Sequence, residues 1–123
     1  NNPIYRRINQ RSDVDKVWLV WMREYTYYLD PPARIDSVFG AWRWEEALEL
    51  ESNQGLLRRL EREGITHVLI NHRFFLVDGN ADYEEGRTLT LQARFNSLLG
   101  EGGLTEIDRY GPAILYEASL PEG

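Results

Sequence analysis

The run VWLVWM, residues 17–22, is apolar at every position. A strand with one wet face alternates apolar and polar residues, because successive side chains point to opposite faces. This run does not alternate, so as a strand it must be covered on both sides. Helices packed on each face of a partly parallel sheet supply that cover. The run is also far shorter than the roughly 18 or more apolar residues that mark a membrane span. It therefore sets the class: a sheet with helices on both faces.

The remaining chain divides on the same grounds. Ile4, Tyr5 and Ile8 have the spacing of a short amphipathic helix. Pro31 and Pro32 bar a continuing helix and hold Asp30 extended. ARIDSVF, residues 33–39, alternates well enough for a second strand nearer an edge. In AWRWEEALEL, Trp44, Ala47 and Leu48 share one helix face, with glutamates opposite. Ser52 is placed to cap the next helix, whose buried stripe is Leu56, Leu57 and Leu60 and whose left-handed C-cap is Gly64. The strand THVLIN follows at once. Strand–helix–strand order with short links predicts parallel pairing through right-handed crossovers. RTLTLQARFNSLLG reads as a helix with Leu91, Phe95, Leu98 and Leu99 inward, and the glycines of GEGGL end it. LTEIDRYG and PAILYEASL, turned at Gly111 and Pro112, predict a closing antiparallel pair. The expected fold is a small three-layer α/β/α sandwich, Rossmann-like, with a partly parallel sheet and an antiparallel closing hairpin. Residues 1–16 form a lead-in segment and residues 17–119 a single α/β domain.

Composition narrows the function. A chain of 123 residues suits one domain and can bury a sufficient core. The absence of cysteine excludes disulfides, thiolate catalysis and zinc–thiolate sites. A net charge of −6, with bases interleaved among acids, argues against nucleic acid as a partner, since a duplex binder needs a basic face. Nucleophile elbows, kinase signatures and the zincin helix motif are not found in the sequence.

Several stretches invite a chemical reading. His67 and His72 are five residues apart, which on a strand puts them on opposite faces and argues against a shared metal. The expectation for His67 is a half-buried residue hydrogen-bonded to backbone at a strand start. His72 falls past the carboxyl end of that strand, where open parallel sheets bind ligands near the switch point. The matching end of the first strand offers Arg23, Glu24 and Tyr25, so these three with Asn71, His72 and Arg73 form a candidate ligand crevice. Asp78, Asn80 and Asp82 begin a calcium-loop pattern that fails at Tyr83 and Leu89, where a glycine and a bidentate glutamate belong. A solvated turn is the reading there, an irregular calcium site the alternative. Tyr25, Tyr27, Tyr28, Trp42 and Trp44 make a dense aromatic group, suited to a docking surface or to core. Adjacent carboxylates such as Glu45 and Glu46 read as surface solvation. No cofactor fingerprint, metal set or catalytic constellation is expected.

A longer pattern combines Ile8–Asn9, DKVWLV, YTYYLD, LLRRLEREGITHVLIN and AILYEA in that order. It resembles the C-terminal region of bacterial multi-spanning GT-C membrane glycosyltransferases, the dolichyl-phosphate-mannose–protein mannosyltransferase-like proteins. The resemblance covers residues 5–118, with little carried by residues 72–105, and departs at RFFLVDGNADYEEG. It implies a non-catalytic α/β accessory domain on the extracytoplasmic, periplasmic face of the cell membrane. Its partner would be the membrane-embedded part of the same polypeptide, and beyond that a lipid-linked sugar or acceptor. The family's catalytic acids lie in the membrane region, so no catalytic residue carries over. The alternative is a stand-alone nucleotide- or sugar-binding domain or enzyme using the strand-end crevice.

Overall fold

A computed structural model describes residues 3–22, 29–35, 42–73, 75 and 86–119. These form, in chain order, α1 (Pro3–Asn9), β1 (Val17–Val20), β2 (Ala33–Ile35), α2 (Trp42–Leu50), α3 (Asn53–Arg62), β3 (His67–Asn71), α4 (Arg87–Gly100), β4 (Leu104–Tyr110) and β5 (Ala113–Ala118). The strands make one mixed sheet in the order β2-β1-β3-β5-β4. β1 pairs parallel with both β2 and β3, whereas β5 runs antiparallel between β3 and β4. The fold is thus the small α/β sandwich expected, with its antiparallel closing hairpin.

The unbroken burial of VWLV follows from its place between two strands and two helical layers. Alternate residues feed separate cores. Trp18 and Val20 join Val68, Ile70, Ile114 and Tyr116 against the stripes of α2, α3 and α4. Val17 and Leu19 join Leu69 and Leu115 on the opposite face, closed by Ile4, Tyr5 and Ile8 of α1. The period-two pleat sorts one continuous apolar string into two cores. Trp18 and Trp44 meet edge to face at 5.3 Å in the larger core. Trp44 is therefore core rather than surface; the structure of Tyr25, Tyr27 and Tyr28 lies outside the described residues, as does the side chain of Trp42.

Local signals set the element ends. Ser52 Oγ accepts the Gly55 amide at 3.0 Å and starts α3. At its other end Gly64 takes φ 74°, its amide donates to Glu61 O, and the Ile65 amide donates to Leu60 O at 2.8 Å. That is the Schellman arrangement, and the buried Leu60 and Ile65 flank it. Gly103 is needed for a different reason. A Cβ there would stand 2.7 Å from Leu98 Cδ1 and 3.2 Å from Leu98 O, where the chain leaves α4 for β4.

One helix face departs from expectation. Glu45 lies on α2 among the glutamates assigned to solvent, yet it is 3% exposed. Its Oε2 accepts the Trp21 indole N–H at 3.2 Å, and Arg87 at the start of α4 stands 3.9 Å from Oε1. Trp21 itself has φ 61°, a left-handed conformation rare for a bulky residue. It ends β1 abruptly and turns the indole toward Glu45.

Candidate functional site

The two histidines bracket β3, and the sheet separates them. β1, β2 and β3 run in one direction, so their carboxyl ends gather at one edge of the sandwich. His72 lies there. Its backbone N–H donates to Pro112 O at 2.8 Å, which ties the end of β3 to the β4–β5 turn. Its ring folds onto the α2–α4 face, among Phe75, Phe95 and Tyr116, with centroids 5.8 to 5.9 Å away. Nε2 is 2.9 Å from the Tyr116 hydroxyl. Burial, reinforced by Arg109, pushes the His72 pKa down, and burial with Glu106 pushes the Tyr116 phenol up to about 12. Near neutral pH both are uncharged, so the pair is a neutral hydrogen bond inside an aromatic box. A phenol held so high is a poor proton acid.

Of the other residues of the expected crevice, Asn71 and Arg73 are described. Asn71 Oδ1 accepts the Arg73 amide at 3.0 Å, which closes the turn after β3. Arg73 is exposed. Asn71 and His72 thus serve the turn and the aromatic box, and Arg73 lies at the surface beside them. Arg23, Glu24 and Tyr25 lie outside the described residues, as does nearly all of the acidic stretch 78–86.

His67 occupies the other end and the other face. It pairs with Val17 of β1 and with Glu117 of β5, directly opposite it across the antiparallel ladder. The ring is 1% exposed, well beyond the half-burial expected of it. Its partner is also a side chain rather than backbone: Nδ1 is 2.7 Å from Thr66 Oγ1. That hydroxyl oxygen accepts the Asp15 amide at 3.0 Å and stands 3.3 Å from the Lys16 carbonyl, so Thr66 fastens the loop before β1 to β3.

Nε2 of His67 points between Asp13 Oδ2 at 3.8 Å and Glu117 Oε2 at 3.9 Å, beyond hydrogen-bond reach of either. It has no hydrogen-bond partner among the described residues. One imidazole nitrogen and two carboxylate oxygens thus lie within 4.8 Å of one another. Asp13 is clasped from outside by Arg11, with Nε to Oδ1 at 3.0 Å and Nη2 to Oδ2 at 3.1 Å. That hydrogen-bonded clasp holds the Asp13 carboxyl below its usual range. Desolvation pushes the His67 pKa down, against the opposing pull of Asp13 and Glu117. The ring is therefore neutral at pH 7.

The sequence pointed to His72 and gave no sign of Asp13 or Glu117 as partners of His67. The three residues come from a loop, β3 and β5, separated by 54 and 50 positions in the chain. The His67–Glu117 pairing rests on β5 lying antiparallel beside β3 in the register that sets the two opposite each other, which no local turn fixes.

Comparisons of the chain with family models, with curated proteins and with solved structures return no match.

Proposed function

We propose that this chain is a non-catalytic accessory domain of a membrane-bound glycosyltransferase, held at the extracytoplasmic face and packed against the membrane-embedded part of its own polypeptide. The observation that carries the reading is the structural role of the segment on which the resemblance chiefly rests. GITHVLIN supplies the Gly64 cap, the buried Ile65, the Thr66 fastening and the strand β3, paired on both edges. The resemblance thus falls on scaffold residues, which supports a non-catalytic reading of this segment. Among the described residues no helix is long and apolar enough to cross a membrane, so the membrane segments of this reading belong to residues outside the described ones. The domain would steady that part or present acceptor or lipid-linked sugar to it.

The test is the complete reading frame, followed by deletion. The expected frame encodes several apolar spans before Asn1. Removing residues 3–119 is expected to lower the amount of intact membrane protein or weaken acceptor use, while the isolated domain turns over no polyprenyl-phosphate sugar. A frame with no such spans sinks the proposal.

A second reading has one observation in its favour. His72 lies just past the carboxyl end of β3, with the Tyr116 hydroxyl reaching its ring, at the end where such sheets bind nucleotides or sugars. Titrating a nucleotide sugar while following the His72 ring resonances decides it: a saturable shift supports a ligand crevice, an unmoved ring removes it.

A further inference from the structure

We propose that Asp13, His67 and Glu117 form a site for one divalent cation of the zinc class, with His67 Nε2, Asp13 Oδ2 and Glu117 Oε2 as its protein ligands. The inference is independent of the glycosyltransferase reading.

Two independent observations meet here. The first is the cluster itself, one imidazole and two carboxylates within 4.8 Å of one another. The second is the state of the imidazole. A ring 1% exposed keeps Nε2 without a hydrogen-bond partner and aims it between two acids. Buried polar atoms are nearly always partnered, so an orphan facing two anions points to a missing positive charge.

Proton counting agrees. Thr66 has one hydroxyl proton to give. If it goes to the Lys16 carbonyl, Thr66 Oγ1 accepts the Nδ1–H of His67, and Nε2 presents a bare lone pair to the acids. Metal-bound histidines hold their other ring N–H on an oxygen acceptor, usually a carboxylate, carbonyl or water, which fixes tautomer and orientation; here Thr66 Oγ1 takes that place. A cation on Nε2 thus selects an arrangement in which Nδ1, Thr66 Oγ1 and the Lys16 carbonyl are all satisfied.

Size and charge also fit. Ligand atoms 2.0–2.2 Å from a tetrahedral zinc stand about 3.4 Å apart. The observed 3.8 and 3.9 Å spacings from His67 need a closure of about half an ångström on that geometry, and the two carboxylate oxygens, within 4.8 Å of each other, need to close by up to about 1.4 Å. The buried histidine is the fixed member. The Asp13 and Glu117 side chains, 43% and 50% exposed, are free to swing inward. Two carboxylates and a neutral imidazole carry −2 against the ion. Arg11 is the competitor, because Nη2 holds the same Oδ2; its Nε contact to Oδ1 survives when Oδ2 turns to the metal. A nitrogen ligand favours zinc, cobalt or nickel over calcium, which wants six to eight oxygens. Three protein ligands leave the outer position to water. The bound ion would pin the loop after α1 to the centre of the sheet.

The test uses the chain freed of any affinity tag and stripped with chelator, titrated with zinc chloride at pH 7.5. Calorimetry is expected to give one equivalent. Long-range nitrogen–proton spectra separate the two histidines, and Nε2 of His67 is expected to shift while the His72 ring stays put. Asp13→Asn and Glu117→Gln, at exposed positions, should each weaken binding at least tenfold, and the double variant should lose it with an unchanged circular dichroism spectrum. His72→Gln should bind like the parent. Zinc that leaves His67 Nε2 unmoved, that shifts His72 instead, or that binds the double variant as tightly as the parent overturns the proposal.

Discussion

Thr66→Val isolates the fastening of β3 to the loop before β1, because it removes one hydroxyl and keeps the branched shape. In the parent, Oγ1 accepts the Asp15 amide at 3.0 Å, stands 3.3 Å from the Lys16 carbonyl and meets His67 Nδ1 at 2.7 Å. Water can replace the hydroxyl at the exposed Asp15 amide, so that loss sits at the low end of a hydrogen bond's net worth, about 0.5 kcal/mol. Nδ1 of the buried His67 has no such recourse, and leaving it unsatisfied costs about 1–3 kcal/mol. The expected destabilisation is therefore about 1.5–3.5 kcal/mol, or a melting temperature lower by about 10 °C for a domain of this size. Thr66→Ser keeps every polar contact and should lose under about 1 kcal/mol, the value of one methyl group. Urea unfolding at pH 7.5 measures both, with the m-value expected to hold constant. If Thr66→Val costs less than about 0.5 kcal/mol, or no more than Thr66→Ser, the hydroxyl is not the fastening described.

Three further outcomes follow from the same structure. Both histidines have folded pKa values below their unfolded value of about 6.5, so the unfolded chain takes up more protons as pH falls. The stability they contribute is complete above pH 6.5 and declines as pH drops through 6.5 toward the folded values; chemical denaturation from pH 8 to 5 should show this, and an unchanged or rising stability below pH 6.5 would contradict it. Gly64→Ala, at φ 74° with open space around the new methyl, should cost about 1–2 kcal/mol from backbone strain alone, so a neutral result would mean the Schellman turn is not held as described. Glu45→Ala should cost about 2–4 kcal/mol in the same assay, because it removes the carboxylate that accepts the Trp21 indole N–H and, of the two acids that Arg87 meets among the described residues, leaves Glu49; a change below 1 kcal/mol would mean that Glu45 is solvated.

The sequence by itself determined what depends on neighbours along the chain. VWLVWM demanded cover on both faces, and β1 is buried throughout. Ser52, Gly64 and the Gly111–Pro112 turn act through backbone groups a few residues away, so each is placed as its local chemistry requires. The stripes of α3 and α4, and the opposite faces of His67 and His72, follow from helix and strand periods alone. Tertiary structure decided everything that needs two distant elements to meet. Glu45 looked like a solvated glutamate until α4 brought Arg87 beside it and the left-handed turn at Trp21 delivered an indole. His67 looked like an ordinary strand end until β5 placed Glu117 opposite it and the loop after α1 brought Asp13. Periodicity fixes which way a side chain faces, whereas what it faces depends on strand order and register, and those are set by the packing of the whole sheet.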